Sequence, residues 1–232
     1  MEIYDIKQSR NEYIKTQIDR SIKKILYCKV SIKHVKKWRT IIRKKILLKE
    51  LGIDKIKGPI ICLGTRNGRE IDLFRISFFS NKFLSIIVEL LEIKRFGWKS
   101  IFPIFEKIGR SNAKIIREKS ILGVELNPLG KRKDVHIGSF DNLPKKWENK
   151  FNIIYSNSFD QSFNPEKTAK EWIRIAKNNS LFILSFTETK PVKTDPVGNL
   201  NIDDFIKLFP GEIIFYEKYS SNYNDLIIRI KK

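Results

Sequence analysis

The chain has 232 residues, of which 41% are hydrophobic, which is enough for one globular domain with a sizeable core. Its formal net charge of +20 favours an anionic partner, although Lys, Ile and Asn are abundant along the whole chain and a general compositional bias also explains such a charge. The 2 cysteines exclude a disulfide framework. Because the sequence shows neither a signal peptide nor an 18-residue apolar span, we expect a cytoplasmic protein, with peripheral membrane attachment as an alternative.

The first 57 residues are predicted to form a basic helical extension. Ile14, Ile18 and Ile22 recur at helical spacing, and the segment holds 17 basic against 6 acidic residues. We favour a helical cap over the edge of the core, with solvated lysines, and keep a binding arm for an anionic partner as the alternative. Gly58-Pro59 marks the turn into a second unit, residues 58–232.

The second unit opens with the apolar run PIICL, which is typical of a strand buried in a parallel sheet. A turn from Gly64 to Gly68 follows, and then a helix that carries Ile71. Glycine allows a backbone to approach a ligand closely, because no Cβ intervenes. The spacing does not match the G-x-G-x-x-G fingerprint of dinucleotide-binding folds, so the turn alone does not identify the ligand.

Residues 75–119 are predicted to form a helical insert that is apolar, aromatic and basic at once, with 10 basic against 4 acidic residues. Three roles stay open for it. The insert could form a wall of the site that accepts an acidic small molecule or a saccharide precursor. It could lie on an anionic membrane surface and present a lipid-linked substrate. It could also extend the core or form a dimer interface.

From residue 120 onwards, strands and helices alternate. The predicted strands are ILGVEL, KDVHIGSF, FNIIYSNS and LFILSF, the predicted helices are PEKTAKEWIRIAK and NIDDFIKLF, and the paired terminal strands are EIIFYEKY and DLIIRIK. This order predicts an α/β fold with a doubly wound, mostly parallel Rossmann-like sheet and an antiparallel C-terminal strand. The helical N-terminal extension and the helical insert decorate that sheet.

Residues 58–186 resemble the class I S-adenosylmethionine-dependent methyltransferases of the small-molecule type. The resemblance rests on GTRNGRE as a G-x-R-x-G-x-E first motif, on GVELNP at the end of the second strand, and on HIGSF and FNIIYSNSFDQ further on. It implies S-adenosylmethionine as the cofactor and a small-molecule, saccharide or lipid-linked acceptor. The alternative is an RNA-directed methyltransferase, or a non-catalytic basic nucleic-acid-binding protein on the same fold; nucleic acid is not the favoured partner because no RNA-binding sequence signature is present.

The resemblance also implies the site residues. Glu125 would hold the ribose, the glycine turn would hold the methionine half, and Phe140 would contact the adenine. The implied cofactor-binding set is Gly64, Thr65, Arg66, Gly68, Glu70, Glu125, Asn127, Ser139, Phe140, Ser156 and Asn157. Asp160 and Asn157 are the implied catalytic residues, with Asp160 as the best candidate for a general base and a loop-bracing role as its alternative. No metal site is predicted.

Three departures from the family pattern weaken the predicted cofactor site. Cys62 stands where an acidic residue precedes the first glycine, Arg66 replaces the middle glycine, and Ser139 replaces the acidic residue that ends the third strand. Glu70 and Asp141 are the candidates to replace the missing carboxylates. These departures leave open a methyltransferase fold that has lost catalysis.

Overall fold

The computed structural model describes residues 1–26, 58–66, 68, 70–71, 121–220 and 223–232. The predicted insert at 75–119 and residues 27–57 of the predicted extension lie outside this described part. Its strands and helices are β1 (Glu2–Ile3), α1 (Arg10–Leu26), β2 (Ile60–Leu63), β3 (Ile121–Glu125), β4 (Val135–Ile137), β5 (Phe151–Ser156), α2 (Pro165–Ile175), β6 (Ala176–Thr187), β7 (Val197–Gly198), α3 (Ile202–Leu208), β8 (Gly211–Ser220) and β9 (Tyr223–Ile230).

Seven of the strands form one sheet in the order β4-β3-β2-β5-β6-β9-β8. The neighbours from β4 to β6 are parallel, whereas β9 runs antiparallel to both β6 and β8. The prediction of a doubly wound, mostly parallel sheet with an antiparallel C-terminal strand is therefore confirmed. The chain also forms a separate antiparallel pair of β1 with β7, which was not predicted because each strand has only 2 residues and shows no periodicity.

The strand order places a cleft next to β2. The chain passes from β2 outward to β3 and β4, and then returns across the sheet to β5 on the other side of β2. In register, Leu63 of β2 lies beside Val124 of β3 and Ser156 of β5, so the carboxyl ends of the three strands meet. Open α/β sheets bind ligands outside the carboxyl ends of their strands at such a switch point.

Two apolar layers bury β2 on both faces, as its continuous apolar run predicts. Ile61 and Leu63 face a cluster that includes Trp172, while Ile60 and Cys62 face a cluster that includes Ile71; the four strand residues are at most 1% exposed. Cys62 thus packs as a small hydrophobic residue in the core. The large cluster is aromatic and includes Phe151, Phe159, Phe182, Phe205 and Phe209.

Helix α2 covers the aromatic layer because its sequence specifies both its start and its buried face. Asn164 caps it by accepting a hydrogen bond from the backbone N–H of Lys167, and Pro165 follows at the first helical position, where its missing N–H costs nothing. Trp172 is 0% exposed and packs on Phe159 with ring centroids 5.4 Å apart. In the described part of the chain, none of the helices has the length and apolar character needed to cross a membrane.

Candidate functional site

Gly64 begins the turn that follows β2, and the turn requires glycine there. Its φ of 77° lies in the left-handed region. A Cβ on Gly64 would lie 2.7 Å from the Cβ and Oγ of Ser158, in the loop after β5. The backbone N–H of Gly64 donates to the carbonyl of Val124 at 3.0 Å, so this turn touches both neighbouring strands.

Arg66 connects the turn to the carboxylate of Glu125. It adopts a φ of 54°, which is uncommon for a residue with a side chain, and its backbone N–H donates to Oε2 of Glu125 at 2.6 Å. Oε1 of Glu125 accepts the backbone N–H of Asn127 at 2.9 Å. Burial raises the pKa of Glu125, while these two N–H groups oppose the shift by stabilising the ionised form.

Gly130 also permits this arrangement, although no sequence motif predicts this role for it. It lies in a short 3-10 turn, Pro128–Gly130. A Cβ on Gly130 would lie 2.3 Å from the carbonyl oxygen of Arg66 and 2.7 Å from Cγ of Glu125. The close packing of Arg66 against Glu125 therefore depends on a glycine that follows Glu125 closely in the sequence but is remote from Arg66.

An open cleft lies over the carboxyl ends of β2 and β3. Its empty space, including the part that is open to solvent, is about 770 Å³. The residues that line it are Arg10, Tyr13, Ile14, Gln17, Arg20, Ser21, Gly64, Arg66, Val124, Glu125, Leu126, Gly138, Ser139, Phe140, Asp141, Gln161 and Phe163.

The structure brings only part of the predicted site to the surface of this cleft. The predicted residues that line it are Gly64, Arg66, Glu125, Ser139 and Phe140. The predicted residues that do not line it are Thr65, Gly68, Glu70, Asn127, Ser156, Asn157 and Asp160. In the second group, Thr65 with Glu70, and Ser156 with Asn157, make hydrogen bonds within the turn and the loop next to the cleft.

Thr65 and Glu70 connect the turn to the start of the following helix. Oγ1 of Thr65 donates to Oε2 of Glu70 at 2.9 Å. Burial raises the pKa of Glu70, and the positive charge of Arg66 opposes this shift. At Gly68, the guanidinium of Arg132 donates to the backbone carbonyl at 3.2 Å, so a basic side chain closes the far end of the turn.

Ser156 connects the ends of β2 and β5. Its Oγ donates to the carbonyl of Leu63 at 3.0 Å and accepts the backbone N–H of Ser158 at 3.1 Å. Oδ1 of Asn157 accepts a hydrogen bond from Oγ of Ser158 at 3.1 Å. Both residues therefore fix the loop that packs on Gly64.

Phe140 is held in place at the end of the cleft next to β4. Its ring meets that of Trp172 edge-on, with centroids 5.6 Å apart, and its carbonyl accepts the indole N–H of Trp172 at 3.0 Å. Ser139 donates through Oγ to Oδ1 of Asp141 at 2.5 Å. A carboxylate is therefore present at this end of the cleft, 2 residues beyond the position where the family pattern has one.

Helix α1 forms one wall of the cleft through Arg10, Tyr13, Gln17 and Arg20. The hydroxyl of Tyr13 donates to the carbonyl of Gln161 at 2.9 Å, and Nε2 of Gln17 donates to the carbonyl of Thr194 at 2.5 Å. Tyr13 and Gln17 are buried, whereas the predicted stripe of isoleucines is only half-buried. These four residues are spaced by 3, 4 and 3 positions, which places them on one face of the helix. Sequence reasoning missed this face because it looked for apolar residues, and most of these side chains are polar.

Two arginine–aspartate pairs fix α1 at both ends of this wall. Arg10 binds Asp141 at 2.6 Å beside Phe140. Arg20 binds both carboxylate oxygens of Asp195, with Nη2 and Oδ2 2.7 Å apart. Between these pairs, Nδ2 of Asn127 donates to the carbonyl of Ile18 at 3.0 Å, so the side chain of Asn127 serves the helix.

Asp160 lies in a 3-10 turn, Phe159–Gln161, whose last residue lines the cleft. Its Oδ1 is shielded from solvent and has no hydrogen-bond partner within the described residues. Burial raises the pKa of Asp160 from 3.8 to about 7, and the negative charge of Asp195 adds to the shift. The positive charges of Arg20 and Arg66 oppose it.

Comparison with solved structures places this fold among known proteins. The 1,6-didemethyltoxoflavin-N1-methyltransferase of Burkholderia thailandensis, solved with 1,6-didemethyltoxoflavin and S-adenosylhomocysteine, superposes with a TM-score of 0.59 at 11% identity. The match covers 97% of this chain and 92% of that chain. The chain has the fold of the class I S-adenosylmethionine-dependent methyltransferases.

Two further solved structures match this chain at the same identity. The [4+2]-cyclase SpnF matches with a TM-score of 0.50 and 11% identity, over 82% of this chain and 80% of that chain. An S-adenosylmethionine-dependent methyltransferase from Aquifex aeolicus matches with a TM-score of 0.46 and 11% identity. This match covers 84% of this chain and 98% of that chain. No protein-family model and no curated protein sequence matches the chain. Since one structural neighbour is a cyclase, the methyltransferase fold alone does not assign the activity.

Proposed function

We propose that this protein is an S-adenosylmethionine-dependent methyltransferase that acts on a small-molecule, saccharide or lipid-linked acceptor. The observation that carries the proposal is the joint placement of Gly64 and Glu125 in one cleft, at the carboxyl ends of adjacent strands of a methyltransferase fold. This is the position at which doubly wound sheets bind ligands.

The residues in the cleft fit the cofactor. Each oxygen of Glu125 accepts one backbone N–H and keeps a lone pair, so the carboxylate has acceptor sites left for two ribose hydroxyls. The ring of Phe140 lines the cleft next to Ser139 and offers an apolar surface to adenine. Gly64 places no side chain between the turn and a ligand.

The bound cofactor supplies an electrophilic methyl group on a positively charged sulfur, and the chain binds, orients and excludes water. In this proposal the residues behind the cleft act through the backbone that they hold. Thr65, Gly68 and Glu70 shape the turn, Asn127 holds α1, and Ser156 with Asn157 fixes the loop after β5.

Asp160 is proposed as the general base that takes up the proton lost by the methyl-accepting molecule. Its pKa of about 7 suits a general base near neutral pH. The neighbouring Gln161 lines the cleft, and this supports a role for Asp160 close to it. We expect the rate of methyl transfer to rise with pH through about 7, and Asp160→Asn to remove this dependence.

The shape of the cleft favours a small acceptor. Helix α1 covers one side of it, and the rings of Tyr13 and Phe163, with centroids 5.4 Å apart, form an apolar wall. A cleft covered in this way admits a small molecule more readily than a folded nucleic acid. A lipid-linked acceptor would require membrane contact, for which we propose the 75–119 insert in a cytoplasmic, peripheral protein. Co-sedimentation with anionic vesicles, with and without the insert, tests that contact.

Isothermal titration calorimetry with S-adenosylmethionine and S-adenosylhomocysteine tests the proposal. We expect both to bind, and Glu125→Ala to weaken both by at least about tenfold, because the ribose loses its carboxylate. Glu148→Ala is the matched control, since Glu148 is exposed and does not line the cleft. A chain that binds neither ligand would contradict the proposal and favour a fold that has lost the cofactor.

A nucleic-acid-directed activity is the second candidate, favoured by the net charge of +20. If the basic residues bind RNA, the affinity in a gel-shift assay should fall steeply between about 50 and 200 mM salt, because phosphate binding releases counterions. An affinity that does not change with salt, or no shift of the RNA, rejects this candidate.

A further inference from the structure

We propose that Asp160 makes the cleft select the positively charged methyl donor, S-adenosylmethionine, over its neutral product, S-adenosylhomocysteine. This inference rests on the proposed function, because it concerns the cofactor of the same site. It assigns Asp160 a role in binding that is separate from proton transfer and that exists even when no acceptor is present.

The position of Asp160 supports the selection. Ser158 and Gln161 flank it in the loop after β5; Ser158 packs against Gly64, and Gln161 lines the cleft. The carboxyl group is close enough to Arg66 of the glycine turn for that positive charge to act on it, although Asp160 itself does not line the cleft. Its Oδ1 is buried and has no hydrogen-bond partner in the described part of the chain, and the backbone N–H of Gln161 stabilises the ionised carboxylate only in part.

Charged and titratable groups face Asp160 from each element packed around it. Helix α1 contributes Tyr13 and Arg20, the loop after β6 contributes Asp195, and the glycine turn contributes Arg66. The charge of Arg20 is largely compensated, because Arg20 binds both oxygens of Asp195. The positive charges of Arg20 and Arg66 both act on Asp160, and Asp195 shares that of Arg20.

Arg66 is shared among several buried carboxyl groups. Its positive charge also acts on Glu70 and Glu125, and burial raises the pKa of both. Among the described residues, Asp160 and Asp195 lie with Arg20, and Glu70 and Glu125 share Arg66 with Asp160. These four carboxyl groups outnumber the two guanidinium groups when they ionise. Such a site attracts a cation more strongly than a neutral molecule, because buried charges interact at a low effective dielectric.

The two ligands differ only at the sulfur, which is a sulfonium in the donor and a thioether in the product. The ribose, adenine and amino-acid groups are common to both. The ratio of the two affinities therefore cancels the contribution of Glu125, which holds the ribose of either ligand. What remains in the ratio is the response of the site to the methyl group and its positive charge, and only the response to the charge changes as Asp160 titrates.

This ratio should depend on pH with a defined sign. A cation near Asp160 favours its ionised form, so binding of the donor lowers the pKa of Asp160 and releases a proton near neutral pH. The preference is complete above about pH 7, where Asp160 is already ionised, and is lost as the pH falls and the carboxyl group becomes neutral. Binding of the neutral product releases no proton from Asp160.

Calorimetry at about pH 8 and about pH 5.5 with three ligands tests the inference. The ligands are S-adenosylmethionine, S-adenosylhomocysteine and sinefungin, which carries an ammonium group in place of the sulfonium and transfers no methyl group. We expect S-adenosylmethionine and sinefungin to bind about tenfold more tightly than S-adenosylhomocysteine at the higher pH, and this preference to shrink about fivefold or more at the lower pH.

Asp160→Asn keeps the shape of the side chain and removes its ionisation. We expect this variant to bind S-adenosylhomocysteine as the wild type does, and to lose the preference for both cations at either pH. Asp203→Asn, on the exposed side of α3, is the matched control and should keep the preference.

The outcomes separate the two proposals. If the wild type binds all three ligands with a ratio that does not change with pH, the selection by Asp160 is wrong and the proposed function stands. If Asp160→Asn keeps the preference, another group provides it and the inference is again wrong. If the wild type binds none of the ligands, both the proposed function and the inference fail. The wild-type pH dependence needs no variant, so a poorly folding variant does not decide the outcome.

Discussion

At the residue scale, the site depends on how closely two backbone segments approach Glu125. The backbone N–H of Arg66 donates to its carboxylate, and the 3-10 turn that ends at Gly130 packs against both residues. The strained φ of Arg66 is compatible with this contact because the turn is held from both sides.

Replacing Gly130 by Ala should test the importance of this approach. The new Cβ would lie 2.3 Å from the carbonyl oxygen of Arg66, so the backbone must move. We expect a loss of about 1–3 kcal/mol in the free energy of unfolding, measured by urea denaturation. Gly138→Ala is the control, because its Cβ would meet only the ring of His136, at 3.0 Å, and should cost less. Equal losses in the two variants would show that the contact is unimportant.

The burial of Asp160 should make the stability of the protein depend on pH. The pKa of Asp160 is about 7 in the folded protein and about 3.9 in the unfolded chain. Ionisation of Asp160 therefore destabilises the folded state. The destabilisation grows between about pH 4 and pH 7 and stays at its full value above about pH 7. Asp160→Asn should therefore stabilise the protein, by up to about 4 kcal/mol at pH 8 and by about 1 kcal/mol at pH 4.5. Urea denaturation at both pH values measures the difference, and a pH-independent effect would contradict it.

At the element scale, α1 is a wall of the cleft that is anchored at both ends. Arg10 binds Asp141 beside β4, and Arg20 binds Asp195 in the loop after β6. The helix starts at a reciprocal cap in which Ser9 and Glu12 exchange hydrogen bonds, so its first turn is also fixed. The position of α1 over the cleft therefore depends on a few polar contacts rather than on deep apolar packing.

Removal of the contact between Arg20 and Asp195 should make α1 open more often without unfolding the sheet. In Arg20→Met the two bonds to Asp195 and the bond to Thr194 are lost, while the aliphatic stem is kept. We expect the backbone amides of α1 to exchange with deuterium about five- to tenfold faster, which corresponds to about 1–1.4 kcal/mol. Lys15→Met, on the exposed face of the same helix, should leave the exchange unchanged. Faster exchange across β5 as well would indicate global destabilisation instead.

The sequence predicted those elements whose pattern is local. The apolar run of β2 and the Asn164-Pro165 start of α2 each carry a signal within a few residues, and the structure has both. The contacts that complete the cleft join residues that are far apart in the sequence. The ion pair between Arg10 and Asp141 is an example. Nothing near Arg10 in the sequence marks it as half of an ion pair, because lysines and arginines fill the whole N-terminal segment. The predicted isoleucine stripe pointed to the wrong face of α1, since Tyr13 and Gln17 are the residues that the fold buries.

At the scale of the whole molecule, the sheet order is what brings the glycine turn and Glu125 together. Both lie at strand ends, and the parallel pairing of β2 with β3 places the ends at one edge. The aromatic layer beneath α2 supports this edge, because Trp172 packs in the core and also donates to the carbonyl of Phe140. The core and the candidate site therefore share a residue.

Binding of a ligand in this cleft should stabilise the entire chain. A ligand that binds only the folded state at a concentration 100 times its Kd adds about 2.7 kcal/mol to the free energy of unfolding. For a chain of 232 residues this raises Tm by about 5–10 °C. Differential scanning fluorimetry with S-adenosylhomocysteine measures the shift, and Glu125→Ala should reduce it at the same ligand concentration. An unchanged Tm for the wild type would oppose cofactor binding.

The placement of α1 has a consequence for how the chain matures. Helix α1 is synthesised before its partners Asn127, Gln161 and Asp195. The helix can therefore dock fully only after the chain has been made as far as Asp195. Until then, Tyr13 and Ile14 lack the cleft that they line in the folded chain.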